Sequence, residues 1–192
     1  MRLRLSRLSK PSKKIAIVSH CILNQVTVAP GLSSYVGAVK ELVEYLVAES
    51  YGIIQLPCPE ATFLGFNRWW MSREQYDTQA FRAHCRKILE PIIALIKELR
   101  REEIPYILIG IKGSPSCGIF TTTSNPEWGG DPSKAEKSKS NKINMPGVFM
   151  EELLKLIQEE GLPLPDRILE IDHEEIKKKG LPQESLDKLR LD

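Results

Sequence analysis

Three of the four cysteines in this chain are placed where they could bind a metal together. Cys21, Cys58 and Cys117 are far apart in sequence, and each lies at or just after the end of a short apolar run. Thiolates favour soft acceptors, which means zinc or an iron-sulfur cluster, whereas magnesium, calcium and manganese prefer oxygen ligands. The chain has no clustered CxxC pairs, which disfavours zinc ribbons and thioredoxin-type redox sites. The three thiols can form one site only if the fold brings them together.

Apolar runs rich in β-branched residues predict the strands that would position these cysteines. The run before Cys21 reads Ile-Ala-Ile-Val, and Pro57 and Pro59 end the run before Cys58, because proline cannot continue a strand ladder. The sequence predicts strands over residues 15–18, 53–56, 106–111 and 168–171.

Between the strands, apolar residues recur three and four positions apart, which predicts helices. The predicted helices are one from Tyr35 capped by Ser33 or Ser34, a region after Ser72 that Pro91 kinks or breaks in two, and one from Pro146 to Gly161. This order predicts an α/β fold, a Rossmann-like three-layer domain with a mostly parallel sheet. Open sheets of this kind bind ligands at the edge where their strands end, so we expect the cysteines at that C-terminal edge.

Composition limits the size of the core and the class of partner. The chain has 192 residues, of which 42% are hydrophobic, enough for one sizeable core. Its 27 basic and 25 acidic residues give a formal charge of +2, so charge offers no reason to expect nucleic acid or a membrane as a partner. The basic start has no continuous apolar signal core, which predicts a cytoplasmic protein. We expect a monomer or a homodimer.

Patterning divides the chain into three parts. A basic N-terminal tail covers residues 1–13, a single α/β domain that contains the three candidate ligands covers 14–172, and a charged C-terminal extension covers 173–192. Residues 121–145 are rich in Thr, Ser, Asn, Lys, Gly and Pro, with Trp128 as the only large apolar anchor. This segment is either a lid over the site or a disordered excursion.

The number of cysteines leaves several kinds of site open. An iron-sulfur cubane on three cysteines would keep one iron open to substrate, whereas structural zinc normally takes four ligands. His20 could supply a fourth ligand, but neighbours in a strand point to opposite faces, so His20 and Cys21 would not easily share one metal. Cys117 could instead act alone as a nucleophile. Cys85 lies in the apolar stripe of a predicted helix, and we expect it to be a buried core residue.

Four motifs together resemble the TudS family of desulfidases. Cys-Pro-Glu followed by Ser-Pro-Ser-Cys-Gly in this order is a fairly specific pair, and the similarity covers about residues 14–161. The motifs are Ser19-His20-Cys21-Ile22-Leu23-Asn24, Cys58-Pro59-Glu60, Ser114-Pro115-Ser116-Cys117-Gly118 and Gly147-Val148-Phe149.

The resemblance implies a cofactor and a reaction. It implies a 4Fe-4S cluster on Cys21, Cys58 and Cys117 with one open iron. That iron would take the sulfur of a small thiocarbonyl compound, such as a thiolated pyrimidine, and water would supply the replacing oxygen without net redox change. An open iron is a Lewis acid toward sulfur, so the chemistry of the residues agrees with the family's reaction.

The resemblance also implies roles for individual side chains. Glu60 would be the acid-base carboxylate, since a carboxylate can deliver a proton to the leaving group or activate water. Ser114 or Ser116 would contact the substrate. The further candidates for substrate binding are His20, Asn24, Arg68 and Gly118.

The substrate is less well defined than the cluster, because the chain departs from the better-known members after Glu60. Those members continue with a glycine-rich pattern, whereas residues 61–70 read Ala-Thr-Phe-Leu-Gly-Phe-Asn-Arg-Trp-Trp. These aromatics could stack a heteroaromatic ring, with Arg68 pairing a carboxylate or phosphate, or could serve packing or a dimer contact. A desulfidase is the leading hypothesis. Its rivals are a non-catalytic zinc or iron-sulfur protein and a metal-free hydrolase that uses Cys117.

Overall fold

The computed structural model describes residues 11–128 and 141–191. The strands are β1 (Ile15–Val18), β2 (Gly52–Gln55), β3 (Tyr106–Ile111), β4 (Thr122–Ser124), β5 (Asn141–Ile143) and β6 (Arg167–Ile171). The α-helices are α1 (His20–Leu23), α2 (Lys40–Ala48), α3 (Pro59–Leu64), α4 (Arg73–Tyr76), α5 (Gln79–Arg101), α6 (Val148–Glu159), α7 (His173–Lys179) and α8 (Gln183–Leu189). Within these two ranges, no helix combines the length and apolar character needed to cross a membrane.

A four-stranded parallel sheet forms the centre of the fold, in the order β2-β1-β3-β6. Successive side chains of a strand point to opposite faces, and the core divides accordingly. Ile17 and Leu108 face the layer that contains α5 and α6. Val18 and Ile109 face the layer that contains α2, α7 and α8. The predicted three-layer α/β fold with a parallel sheet is confirmed.

The first of these helical layers is built on α5, which continues through Pro91. The sequence predicted a kink or a break into two helices there, and the break is wrong. Pro91 removes one backbone hydrogen bond, but the buried face of the helix compensates for it. The predicted helical region is instead divided between α4 and α5. Ser72 precedes α4 and donates hydrogen bonds to the side chain of Gln75. The hydroxyl of Thr78 accepts the N–H of Phe81 and so caps the start of α5.

In the other layer, α2 begins at Lys40 and not at Tyr35 as predicted. The reason lies in the side chain of Gln25, whose oxygen accepts the N–H groups of Ser34 and Tyr35 and holds them in a loop. Ser33 therefore donates to this loop and does not cap a helix.

The segment assigned above to a charged extension contributes α7 and α8. Ile176 and Leu189 from these helices are buried in the same hydrophobic cluster as Val18, and the hydroxyl of Tyr51 donates to the carbonyl of Leu189. A fully buried Ile or Leu side chain contributes about 1.5–3 kcal/mol. The two helices therefore belong to the core that supports the sheet.

The described parts of the polar segment over residues 121–145 form two short strands and hold a buried tryptophan. Its strands β4 and β5 pair in antiparallel fashion. Trp128 is buried and packs against Trp70 with ring centroids 4.8 Å apart and a tilt of 37° between the rings, in agreement with its predicted anchoring role. Residues 129–140 lie outside the described ranges, so the lid stays a prediction.

An ion-pair network joins α4, α5 and α6. Arg82 contacts Asp77 at 2.7 Å, Glu151 at 2.9 Å and Glu152 at 2.5 Å, and Arg73 also reaches Asp77 and Glu151. The hydrogen bond from Arg82 is the main cause that lowers the pKa of Asp77 below its ordinary value of 3.8. A carboxyl group whose pKa is lowered by folding stabilises the folded state at pH values above its ordinary pKa. This stabilisation is lost as the pH falls through the folded-state pKa.

We therefore expect Asp77→Asn to lower the free energy of unfolding by roughly 0.5–1 kcal/mol at pH 7, a modest amount because Asp77 is partly exposed. The difference from the unsubstituted protein should shrink as pH falls below about 4. Urea unfolding at several pH values measures both effects. A difference in the free energy of unfolding that stays constant with pH would contradict a stabilising ion pair of Asp77.

Candidate functional site

A cavity of about 180 Å³ lies at the C-terminal edge of the parallel sheet, and the three predicted cysteines line it. Cys21 lies in α1 directly beyond β1, Cys58 precedes α3 beyond β2, and Cys117 lies in the loop beyond β3. Parallel strands bring their ends to one edge, which is why residues so distant in sequence meet. Cys85 is fully buried in the core, as predicted, and takes no part in the cavity.

The three thiols are free and partly or wholly enclosed. Burial, reinforced by Cys58 and Glu60, raises the pKa of Cys21 to about 12, and burial is likewise the main cause that raises the pKa of Cys58 and of Cys117. The thiols are therefore protonated until a ligand displaces their protons. The N–H of Ala61 donates to the sulfur of Cys58 at 3.4 Å, a contact that would favour a thiolate there.

These thiols fit a multi-iron group. In residues 11–128 and 141–191, no three Cys, His, Asp or Glu side chains converge on a single ion. A cubane distributes its cysteine ligands over separate iron atoms, so it does not require such convergence. Three soft donors that line one cavity match the ligands that iron-sulfur clusters use.

Glu60 lies in the first turn of α3 and faces the same cavity. Its Oε1 accepts the hydroxyl of Ser116 at 2.6 Å, and its Oε2 accepts two hydrogen bonds from Arg68, each 3.2 Å long. The hydroxyl of Ser116 also lies 3.4 Å from the sulfur of Cys117. The carboxylate is therefore fixed in orientation and connected through one hydroxyl to a proposed cluster ligand.

Arg68 is buried, and its guanidinium is occupied by protein groups. In addition to its hydrogen bonds to Glu60, the guanidinium donates to the carbonyl oxygens of Gly65 at 3.0 Å and Thr27 at 2.6 Å. The sequence predicted that Arg68 pairs a substrate carboxylate or phosphate, but the structure pairs it with Glu60. A planar guanidinium that binds one carboxylate through two nitrogens leaves little capacity for a second anion.

Tyr76 is a further neighbour of Glu60 that the sequence analysis missed. It lines the cavity from the end of α4, and its hydroxyl interacts with the carboxylate. Burial, reinforced by the negative charge of Glu60, raises the pKa of Tyr76 well above its ordinary value of 10.0, so the hydroxyl keeps its proton. Only the tertiary structure reveals this contact, since no motif includes Tyr76.

The other predicted substrate residues divide into two groups. His20 and Ser114 line the cavity, whereas Asn24 and Gly118 do not. Asn24 accepts the N–H of Val26 and caps a short turn. A Cβ at Gly118 would lie 1.9 Å from the carbonyl oxygen of Thr121, so this glycine permits the tight turn after the last cysteine.

His20 lies in α1 and not in the preceding strand, so the strand-face argument against it does not apply. Its Nδ1 lies 3.2 Å from the carbonyl oxygen of Leu56, which orients the ring. Ser114 accepts the N–H of Cys117 at 3.0 Å and thereby shapes the cysteine loop. Both side chains can support the site and face a ligand in it.

Of the aromatic residues after Glu60, Trp70 lines the cavity. Phe66 and Trp69 are largely exposed, and Phe63 packs against Phe81 with ring centroids 5.3 Å apart. Trp70 is therefore the aromatic of this run that the structure places where a substrate ring could stack.

His173 is a second residue that the sequence analysis missed. It lines the cavity from the start of α7, directly after β6. The rule that connected the cysteines to strand ends would have found it, had that rule been applied to the fourth strand as well.

Glu170 in β6 holds the loop that follows Cys117. One of its oxygens accepts the N–H groups of Ile119, Phe120 and Thr121 at 2.5, 2.7 and 2.9 Å, and the other accepts the hydroxyl of Thr121. A carboxylate that satisfies three backbone donors acts as a clamp on this turn.

We expect Glu170→Ala to lower the free energy of unfolding by about 1–3 kcal/mol, because it leaves three backbone N–H groups, two of them in part-buried hydrogen bonds, without their acceptor. Urea unfolding is the measurement. Glu44→Ala is the matched control, since Glu44 makes only an exposed pair with Lys40 at 3.6 Å and should change stability by less than about 0.5 kcal/mol. Equal losses in the two variants would disprove the role of Glu170 as a clamp.

Comparisons with known proteins identify the family. The family described as "Putative 2-thiouracil desulfurase" matches residues 13–183. The uncharacterized protein MJ0003 of Methanocaldococcus jannaschii is 51% identical over 108 residues, which cover 56% of this chain and 69% of that protein. The solved structure of a 4Fe-4S-dependent thiouracil desulfidase, TudS, aligns over 90% of this chain and 99% of its own, with 20% identity and a TM-score of 0.47.

The family match extends over the whole cysteine-lined cavity, including the ends of all four parallel strands. It confirms the resemblance that the motifs indicated. The chain belongs to the putative 2-thiouracil desulfurase family.

Proposed function

We propose that this protein is an iron-sulfur-dependent desulfidase that acts on a small, thiolated, nucleobase-like compound. The observation that carries the proposal is that three cysteines and the Glu60–Ser116 pair line one cavity. The net reaction replaces C=S by C=O: water supplies the oxygen, hydrogen sulfide leaves, and no electrons are gained or lost. The family description names 2-thiouracil, a compound of this class.

Cys21, Cys58 and Cys117 would hold a 4Fe-4S cluster. Such a cluster with three cysteine ligands would supply an open iron as a Lewis acid for the sulfur of the substrate. Burial raises the pKa of Cys21 and of Cys117, so binding of the cluster would displace their protons.

Glu60 would move protons between water and the leaving sulfur. Arg68 holds one carboxylate oxygen, so the other, which accepts the hydroxyl of Ser116, is the oxygen available for proton transfer. Ser116 would exchange this hydrogen bond for one to water or substrate. Fixing an acid-base group before the substrate arrives removes the cost of orienting it during the reaction.

The remaining walls would bind the ring and exclude water. The loop over residues 27–32 lines the cavity through Thr27, Val28, Ala29 and Leu32. Arg68 attaches this loop to the site through the carbonyl of Thr27. Trp70 supplies an aromatic face for stacking, while His20 and Ser114 offer polar contacts. A cavity of this composition suits a flat heteroaromatic ring.

Anaerobic purification followed by metal analysis tests the proposal. We expect about four iron and four acid-labile sulfide per chain, and release of sulfide with formation of uracil from 2-thiouracil. Zinc in place of iron would contradict the cluster. Iron and sulfide without activity on any thiolated base would indicate a carrier, and activity without metal would indicate a hydrolase that uses Cys117.

A further inference from the structure

His173 lines the cavity but has no role in the chemistry described above. It is the first residue of α7 and lies beside the same cavity as the three cysteines. Its Nδ1 is buried and has no hydrogen-bond partner within the described part of the chain. A proton on a buried atom without an acceptor costs about 1–3 kcal/mol, so a proton is disfavoured at Nδ1.

The surroundings of His173 favour a neutral ring. Burial lowers the pKa of His173 and outweighs the opposing effects of Asp172 and Glu174. A neutral imidazole carries one N–H. A proton on the enclosed Nδ1 would be a buried donor without an acceptor, so the less costly tautomer carries its proton on Nε2. His173 then has one N–H to offer to a group in the cavity.

The sheet order places His173 opposite Glu60. β2 and β6 are the outer strands, and Glu60 follows the first while His173 follows the second. Cys21 and Cys117 follow the two inner strands. Neighbouring strands are about 4.8 Å apart, so the ends of the outer strands are separated by about 14 Å. A ring whose thiocarbonyl lies near the cysteines and Glu60 would present its far side to His173.

We propose that His173 is a substrate-contacting residue whose Nε2–H donates a hydrogen bond to a carbonyl oxygen on the ring, and that it thereby selects thiolated rings that also carry a carbonyl. This inference rests on the proposed function. It concerns recognition of the substrate and not the transfer of sulfur, so it predicts an effect on KM and little effect on kcat.

Two substrates that differ in one oxygen test this contact. 2-Thiouracil carries a ring carbonyl besides its thiocarbonyl, and pyrimidine-2-thione lacks that carbonyl. In the cluster-loaded protein, His173→Phe should raise KM for 2-thiouracil about tenfold. It should change KM for pyrimidine-2-thione by less than about twofold. His173→Gln, whose amide can donate, should recover part of the loss. His84→Gln is the matched control, because His84 does not line the cavity.

A binding measurement separates failure of this inference from failure of the proposed function. Calorimetric titration with uracil should show the same roughly tenfold weakening in His173→Phe whether or not sulfide is released. If the protein releases no sulfide but this weakening is seen, the proposed function fails and the inference stands. Equal changes of KM for both rings, or uracil binding unaffected by His173→Phe, would overturn the inference alone.

Discussion

Cys117→Ala is expected to lose the iron-sulfur cluster and to reduce desulfuration by roughly 100-fold or more. Loss of a group that only supports a metal ligand already costs about 10–100-fold, and loss of the ligand itself should exceed that. No other cysteine is placed to replace it, because Cys21 and Cys58 are the other two proposed ligands and Cys85 is enclosed in the core. Iron, acid-labile sulfide and sulfide release are measured after anaerobic purification.

Cys85→Ala is the matched control for this experiment. It removes a thiol of the same kind from the hydrophobic cluster behind the sheet. We expect full iron content and activity, with a loss of stability on the order of 1 kcal/mol from the small cavity. Full iron content in Cys117→Ala, or loss of iron in Cys85→Ala, would contradict the ligand assignment.

Glu60→Gln is expected to lower kcat by roughly 10²–10⁴-fold, the usual contribution of a positioned acid-base group. The amide keeps the size of the side chain and can still accept from Arg68, but it cannot take up or release a proton. Cluster content should therefore be unchanged, which distinguishes this variant from the cysteine variants. Steady-state sulfide release, together with iron analysis, measures both properties.

Ser116→Ala refines the test of Glu60. Because the hydroxyl of Ser116 contacts Glu60 at 2.6 Å and also lies near the sulfur of Cys117, its removal should lower kcat by less than Glu60→Gln does. Glu44→Gln, at the exposed pair on α2, serves as the control and should leave kcat unaffected. An unchanged kcat in Glu60→Gln would disprove the role of this carboxylate.

Strand positions were predictable because the information for them is local. All four parallel strands were predicted within one residue of their observed ends, since short β-branched runs bounded by turn residues depend little on distant contacts. Helix starts were less predictable. Gln25 holds the loop before α2 through hydrogen bonds to residues nine and ten positions away. In α5, burial of one face of the helix outweighs the tendency of Pro91 to break it.

The sequence by itself determined that Cys21, Cys58 and Cys117 would meet, because strand order and a parallel sheet bring strand ends to one edge whatever the details of packing. Only the tertiary structure decided what surrounds them. Arg68 is directed to Glu60, and Tyr76 and His173 enter the cavity. Those outcomes depend on how helices pack beside the strand ends, and side-chain contacts across such packing leave no periodic signal in the sequence.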